Sequence, residues 1–201
     1  MGTVVIVLGH GELIFDKIPE SADIIGVDAG AAVCAKNNLH MKKAIGDFDS
    51  VTKVEFEHIQ MMSDELVLLN KDKDDSDFEA ALKHVEAYDD VIVFGSWGKR
   101  FDHSYVNLEL VKRNSKITFY DYNNKVYSLP MGEYDIVKGD YTYLSLFAIE
   151  DTSVSLTGVK YELDNRLLAM SDLYALSNEI IDEVAHLNIH SGKLLIIQSK
   201  D

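Results

Sequence analysis

The chain opens on Thr3-Val4-Val5-Ile6-Val7-Leu8, and similar short apolar runs recur at intervals through its first part, separated by longer amphipathic stretches. A run with no polar alternation has no face to offer water, so it must be covered on both sides. Short two-sided strands joined by covering helices are the pattern of a parallel sheet in an α/β domain. The strands read from this pattern are Thr3 to Leu8, Asp23 to Val27, Glu65 to Leu69, Asp90 to Phe94 and Lys116 to Tyr120.

Two helix starts are marked independently of hydrophobic pattern. Thr52 with Glu55, and Ser76 with Glu79, have the spacing of capping boxes, in which hydroxyl and carboxylate each satisfy an exposed amide. In the second helix Phe78, Ala81, Leu82 and Val85 fall on one face, which places the acidic residues before them at the helix entrance.

After about Asn123 the pattern changes to short runs separated by Gly, Asp, Asn or Ser: Val126 to Leu129, Tyr134 to Val137, Tyr143 to Ile149 and Leu194 to Gln198. The expected organisation is an α/β domain over residues 1–123 with a mostly parallel sheet, then a β-rich domain over 124–201. Pro130-Met131-Gly132 is expected in a turn near the boundary, because proline removes a strand donor. With 201 residues the chain is long enough to bury a core without disulfides.

Nineteen Lys and Arg against 34 Asp and Glu leave a net charge of −15. That field repels nucleic acids and anionic membranes, so neither is expected as a partner. Phosphate chemistry on such a chain needs local cationic groups and Mg²⁺ to offset it. Cys34 is the only cysteine, which excludes an intrachain disulfide and a cysteine-built metal site. The first strand lacks a basic leader, and a cytoplasmic location is expected.

Three polar clusters fall at strand-to-helix junctions, the first directly after Ala44-Ile45 and the other two after predicted strands. Gly46-Asp47-Phe48-Asp49-Ser50 carries two carboxylates separated by one residue, suited either to a hard cation or to a capped surface turn. Lys71-Asp72-Lys73-Asp74-Asp75-Ser76-Asp77-Phe78-Glu79 reads either as a solvated loop with an acidic first helical turn or as further metal ligands, with Lys73 on a phosphoryl oxygen. Gly95-Ser96-Trp97-Gly98-Lys99-Arg100-Phe101-Asp102-His103 offers a Gly-rich turn and an arginine suited to bidentate phosphate binding. There His103 and Asn107 share one helical face, although intrahelical bonding of His103 is the plainer reading. All three clusters, with Asp28-Ala29-Gly30 after the second strand, fall where open α/β sheets bind ligands.

This combination, with Thr157-Gly158-Val159-Lys160-Tyr161-Glu162-Leu163 and Ser177-Asn178-Glu179 in the second half, resembles the thiamine pyrophosphokinase family in its compact bacterial form, over nearly the whole chain. The family's usual Gly-Gly-Arg reads Gly98-Lys99-Arg100 here. The resemblance implies an α/β catalytic domain, a β-sandwich-like second domain that binds thiamine and dimerises, and a homodimer with active sites near the subunit interface. Asp47, Asp49, Asp74, Asp77 and Arg100 would be catalytic, with Asp47, Asp49 and Asp74 on Mg²⁺. Asp28, Lys73, Arg100, Asp102, His103 and Asn107 would serve ATP, and Tyr161, Ser177 and Asn178 would hold thiamine.

The implied reaction moves the diphosphoryl group of ATP to the thiamine hydroxyl, giving thiamine diphosphate and AMP. Two alternatives stand beside it: a related nucleotide-dependent kinase for another hydroxyl compound, and a thiamine or nucleotide sensor without turnover.

Overall fold

The apolar run that opens the chain becomes an inner strand of a parallel sheet. In the computed structural model, which describes residues 2–9, 13–70, 74–98 and 100–201, β1 (Thr3–Val7) is buried from Val4 onward. The chain divides into two units, one of residues 1–110 with 119–122 and the other of 111–118 with 123–201.

In the first unit β1 lies between β2 (Asp23–Val27) and β5 (Asp90–Phe94), and the sheet continues outward through β3 (Met41–Gly46) and β4 (Ser63–Leu68). All four pairings, β5–β1, β1–β2, β2–β3 and β3–β4, are parallel. The chain therefore steps outward from β1 to β4 and returns to the other side of β1 for β5. That reversal opens a crevice at the carboxyl ends of β1 and β5. Strand β6 (Ile117–Tyr120) brings Phe119 and Tyr120 into this unit.

The connecting helices are α1 (Ala29–Lys36), α2 (Lys53–Met61), α3 (Asp77–Leu82) and α4 (Phe101–Arg113). Both capping boxes form. Thr52 accepts from the Glu55 amide and Ser76 from the Glu79 amide, while each glutamate reaches back to the cap amide. Helix α1 runs so close over β1 that a Cβ on Gly30 would stand 2.0 Å from the Val7 carbonyl oxygen. Cys34 is wholly buried in the resulting core with Val5, Val7, Met41 and Ile59. Burial pushes its thiol pKa up to about 12, so it packs as a small hydrophobe.

Strand β3 departs from the sequence expectation, which found no full strand there. Its first half carries Lys42 and Lys43, which mask the apolar run. Lys42 Nζ donates to Asp23 Oδ2 at 2.6 Å and to Tyr88 Oη at 2.9 Å, and Lys43 meets Glu65 Oε2 at 2.6 Å. Ion pairs to Asp23 and Glu65 on the neighbouring strands let two lysines sit in this sheet.

The second unit is antiparallel. Strand β12 (Val184–Ser199) pairs along its length with β7 (Asn124–Val137). Its other edge changes partner, with β9 (Thr152–Thr157) beside His186–Ser191 and β8 (Tyr143–Ala148) beside Leu194–Ser199. Strand β10 (Leu163–Leu168) continues outward from β9, and the two-residue β11 (Asn178–Glu179) pairs with β8. Leu144, Leu156, Leu187 and Ile196 anchor the core.

Pro130-Met131-Gly132 lies inside β7 and does not form the expected turn. The ladder is broken opposite it, because Gly132 pairs with Ile189 while Pro130 pairs with Lys193. A proline is tolerated within a strand at such a bulge, where no donor is required. Among the described residues no helix is long and apolar enough to cross a membrane.

Candidate functional site

The crevice of the first unit is built from loops that leave different strands. Gly9 follows β1, Asp28 follows β2, Ser50 follows β3, Ser76 and Asp77 open α3, Gly95 follows β5, and His103 and Asn107 come from α4. Together they line a cavity of about 250 Å³ at the carboxyl ends of the parallel strands. Its position follows from the order of the strands.

Asp28 is the most constrained of these residues. It has φ 48° and ψ −121°, a conformation that L-residues seldom adopt. Its amide donates to the Ile45 carbonyl at 2.9 Å. Its Oδ1 accepts from the Asp47 amide at 3.1 Å and from the Phe48 amide at 3.4 Å, and its carboxyl is also hydrogen-bonded to that of Asp77. Burial, the most important cause, together with the bond to Asp77 and the charges of Asp77 and Asp47, pushes its pKa up to about 7. The Phe48 backbone donor opposes that shift without cancelling it.

The first acidic cluster stands on this link. Phe48 is buried with φ 54° and meets the Phe56 ring edge-on, the centroids 5.5 Å apart. Asp47 Oδ1 accepts from the Asp49 amide at 3.0 Å, closing a small turn that leaves Asp49 and Ser50 exposed.

The third cluster is held from α4. Asn107 is 8% exposed and its Nδ2 donates to the Ser96 carbonyl at 2.8 Å, while the Gly98 amide donates to Ser104 Oγ at 3.3 Å. Trp97 turns its edge to Phe119 at 5.3 Å and packs as a wall. Arg100 grips Asp102 with two bonds, Nη2 to Oδ2 at 2.6 Å and Nε to Oδ1 at 3.2 Å, and both side chains are about two-thirds exposed. The carboxylate raises the Arg100 pKa and the guanidinium lowers that of Asp102.

Among the residues read from sequence, Asp28, Asp77, His103 and Asn107 therefore line one crevice, and Asp47 is joined to it through Asp28. Asp49, Asp74, Arg100 and Asp102 are exposed and do not line it. Lys73, together with His10, Gly11 and Lys99, lies outside the described residues. Ser50 and Ser76 line the crevice and were missed as site residues. The signal for Ser76 was read only as a helix cap, which it also is.

The second unit carries a smaller cleft of about 80 Å³, lined by Leu146, Leu156, Leu163, Tyr174 and Leu176 together with Tyr161 and Asn178. Asn178 Oδ1 accepts from the Tyr161 amide at 3.0 Å and its Nδ2 donates to the Tyr161 carbonyl at 2.8 Å. Tyr161 is 66% exposed, so its ring is presented while its main chain is fixed. Lys160 Nζ meets Glu179 Oε1 at 2.9 Å and stands 5.8 Å from the centre of the Tyr161 ring. Ser177 has φ 55°, donates its amide to Ser145 Oγ at 2.9 Å and does not line the cleft. Glu179, whose carboxylate pairs with Lys160, was read within Ser177-Asn178-Glu179 but given no role of its own.

Comparison with known proteins gives matches over both units. Residues 15–120 match a family model described as thiamin pyrophosphokinase, catalytic domain, and residues 133–194 match one described as thiamin pyrophosphokinase, vitamin B1 binding domain. A thiamine pyrophosphokinase of Bacillus subtilis (strain 168) is 34% identical over 186 residues, which cover 88% of this chain and 87% of that protein. The crystal structure of thiamine pyrophosphokinase from Bacillus subtilis superposes with a TM-score of 0.91 at 31% identity, covering 99% of each chain. That of a thiamin pyrophosphokinase family protein from Enterococcus faecalis superposes with a TM-score of 0.86 at 26% identity, covering 100% of each chain.

Proposed function

Because the chain belongs to the thiamin pyrophosphokinase family, we propose that the crevice of its first unit takes the phosphates of ATP and that the Tyr161–Asn178 cleft of its second unit takes thiamine. The protein is an ATP-dependent thiamine diphosphokinase. The observation that carries the site assignment is the convergence of Asp28, Asp77, His103 and Asn107 on one crevice at the reversal of the sheet.

In the reaction the hydroxyl oxygen of thiamine bonds to the β-phosphorus of ATP as the bond from that phosphorus to the α-phosphate oxygen breaks. AMP leaves with the electron pair, and the hydroxyl proton passes to a base or to water. Arg100, exposed and already bound to one carboxylate, is suited to exchange Asp102 for phosphate oxygens. Asn107 holds the Ser96 carbonyl and so keeps the Gly95–Gly98 turn in place at the crevice, where a Gly-rich turn lets an anion approach the main chain.

The donors fit Mg²⁺ bound partly through phosphate. No three His, Cys, Asp or Glu side chains among the described residues are arranged to enclose a metal. Mg²⁺ instead takes one or two carboxylates and completes its shell with water and phosphate oxygens. Crowding of Asp47 and Asp77 around Asp28 is the like-charge arrangement that a dication relieves. One or two of Asp47, Asp49, Asp74 and Asp77 would hold it. When bound, Mg²⁺ neutralises charge developing on the transferred and leaving oxygens.

On the thiamine side, the exposed ring of Tyr161 offers a stacking face, and Glu179, paired with Lys160, supplies a carboxylate on the neighbouring segment that the thiazolium charge would favour. Asn178 acts through the Tyr161 main chain. Exposed apolar side chains between β10 and β11 support a homodimer, and the single buried cysteine agrees with a cytoplasmic enzyme.

The test is formation of products by purified protein given ATP, thiamine and Mg²⁺, with a no-metal control. AMP and thiamine diphosphate are expected in equal amounts. Transfer to a different alcohol in preference to thiamine, or binding of both substrates without AMP, would replace this reading with another acceptor or with a sensor.

A further inference from the structure

We infer that Asp28 is a positioning residue that sets the spacing between the Asp47–Asp49 loop and Asp77, so that the acidic edge of the crevice is in place before any ligand arrives. The inference rests on the ATP reading of that crevice. It assigns Asp28 to the protein's own backbone, not to the nucleotide.

The geometry is unusual for an aspartate at the start of a helix. Asp28 occupies the N-cap position of α1, where a carboxylate ordinarily accepts from an amide of the first turn, yet it makes no such bond. Its Oδ1 reaches across to β3 and takes the amides of Asp47 and Phe48. The chain makes room for this reach. A Cβ at residue 46 would stand 2.0 Å from Asp28 Oδ1, so Gly46 leaves space for the carboxyl. The reach also comes with strain, since Asp28 at φ 48° and Phe48 at φ 54° both occupy conformations that favour glycine. Backbone strain persists where surrounding structure over-determines it, and it concentrates at functional sites.

The other end of the link is equally fixed. Asp77 is the first residue of α3, whose start is locked by the reciprocal Ser76–Glu79 bonds, and its carboxyl is hydrogen-bonded to Asp28. Phe48 is fixed by burial against Phe56. Asp28 is thus a direct bridge between two loops that leave different strands, β3 and β4. Without its carboxyl the Asp47 and Phe48 amides lose their acceptor, and the separation of Asp47 from Asp77 is no longer set.

The experiment compares Asp28→Ala and Asp28→Asn in the full chain. Asparagine retains an oxygen for the two amides, can donate to Asp77 and tolerates positive φ. Amide exchange read by NMR on the ligand-free protein should accelerate at Asp47 and Phe48 at least about tenfold in Asp28→Ala. The β1 and β5 amides should be unmoved, and Asp28→Asn should stay within about threefold of the parent. In steady state Asp28→Ala should raise the Mg²⁺ needed for half-maximal rate at least about tenfold, and Asp28→Asn should recover most of that loss. Should the alanine variant fail to fold, Asp28→Gly removes the same carboxyl while relieving the strained φ, and the same exchange is read.

Protected amides in Asp28→Ala would overturn the proposal. So would an Asp28→Asn variant that keeps its amides protected yet is as impaired in Mg²⁺ use as alanine, since the charge would then be acting on a ligand. A parent protein that forms no AMP defeats the ATP reading separately, and the exchange data still decide whether Asp28 holds the loop.

Discussion

Asn178 clamps the main chain of Tyr161 from both sides, accepting from its amide at 3.0 Å and donating to its carbonyl at 2.8 Å. The same Oδ1 also takes the Glu179 amide at 3.0 Å. One buried side chain thus fixes the main chain of both Tyr161 and Glu179. Asn178→Ala leaves these groups without partners and should cost about 2–3 kcal/mol in urea unfolding. It should raise the KM for thiamine while leaving that for ATP in place. Equal increases in both would detach Asn178 from the thiamine side.

Among the described residues the Arg100 side chain pairs with Asp102 on the surface, so its removal should leave Tm unmoved. Its expected effect is on the nucleotide. Arg100→Ala should raise the KM for ATP at least about tenfold, the scale of a hydrogen bond to a charged group, with thiamine binding preserved. A calorimetric titration with ATP that matches the parent would exclude Arg100 from the phosphate site.

Much of this arrangement was legible in the sequence, for identifiable reasons. Capping boxes are local, so Thr52–Glu55 and Ser76–Glu79 could be read from spacing alone, and both form. Strand β1 is apolar on both faces, and its shortness and flanks favoured a strand over a signal peptide or membrane span. Strand β3 was obscured because Lys42 and Lys43 are satisfied by Asp23, Tyr88 and Glu65, partners distant in sequence. The same holds at the site. Asp28 was placed at the crevice by its position after a strand, but its bonds to Asp47, Phe48 and Asp77 belong to tertiary structure. Glu179, held by its amide to the Asn178 side chain, leaves no spacing signal.

The ligand-free protein should lose stability as pH rises toward neutrality. Asp28 is held neutral in the folded state to about pH 7, chiefly by burial and then by Asp77, against a model-peptide value of 3.8. Between these values the folded chain keeps a proton that the unfolded chain has released, so the unfolded state binds fewer protons and stability falls with pH. The contribution is full below the unfolded value and is lost as pH passes through the folded one. Discounted for the water at a half-open crevice, the change is on the order of 1–2 kcal/mol. Thermal melts from pH 4.5 to 7.5 should show the decline in the parent and a flatter profile in Asp28→Asn. Parallel profiles would remove Asp28 as the cause.

Gly30 should tolerate no side chain. A Cβ there would stand 2.0 Å from the Val7 carbonyl oxygen and 2.6 Å from its carbon, both backbone atoms of a buried strand. Relief requires moving α1 away from β1, and with it the Asp28 turn that begins the helix. Gly30→Ala should therefore destabilise by about 2–3 kcal/mol in urea unfolding, at the upper end for an overpacked core. A stable variant would show that α1 can slide on the sheet.

The stretch from the end of β10 to β11 predicts the oligomeric state. Leu167, Met170, Leu173, Tyr174 and Leu176 are 52–68% exposed within ten residues of chain, and β10 lies at the outer end of its strand order. An apolar surface of this kind on an open strand invites pairing with a second copy. Sedimentation at micromolar concentration should give a dimer. Leu167→Glu combined with Leu173→Glu places like charges on that surface and should give a monomer with unchanged secondary structure. If the active site lies near the interface, the monomer should also lose affinity for thiamine. A parent chain that sediments as a monomer would leave the apolar stretch without a partner, and a variant that remains dimeric would move the interface to another face.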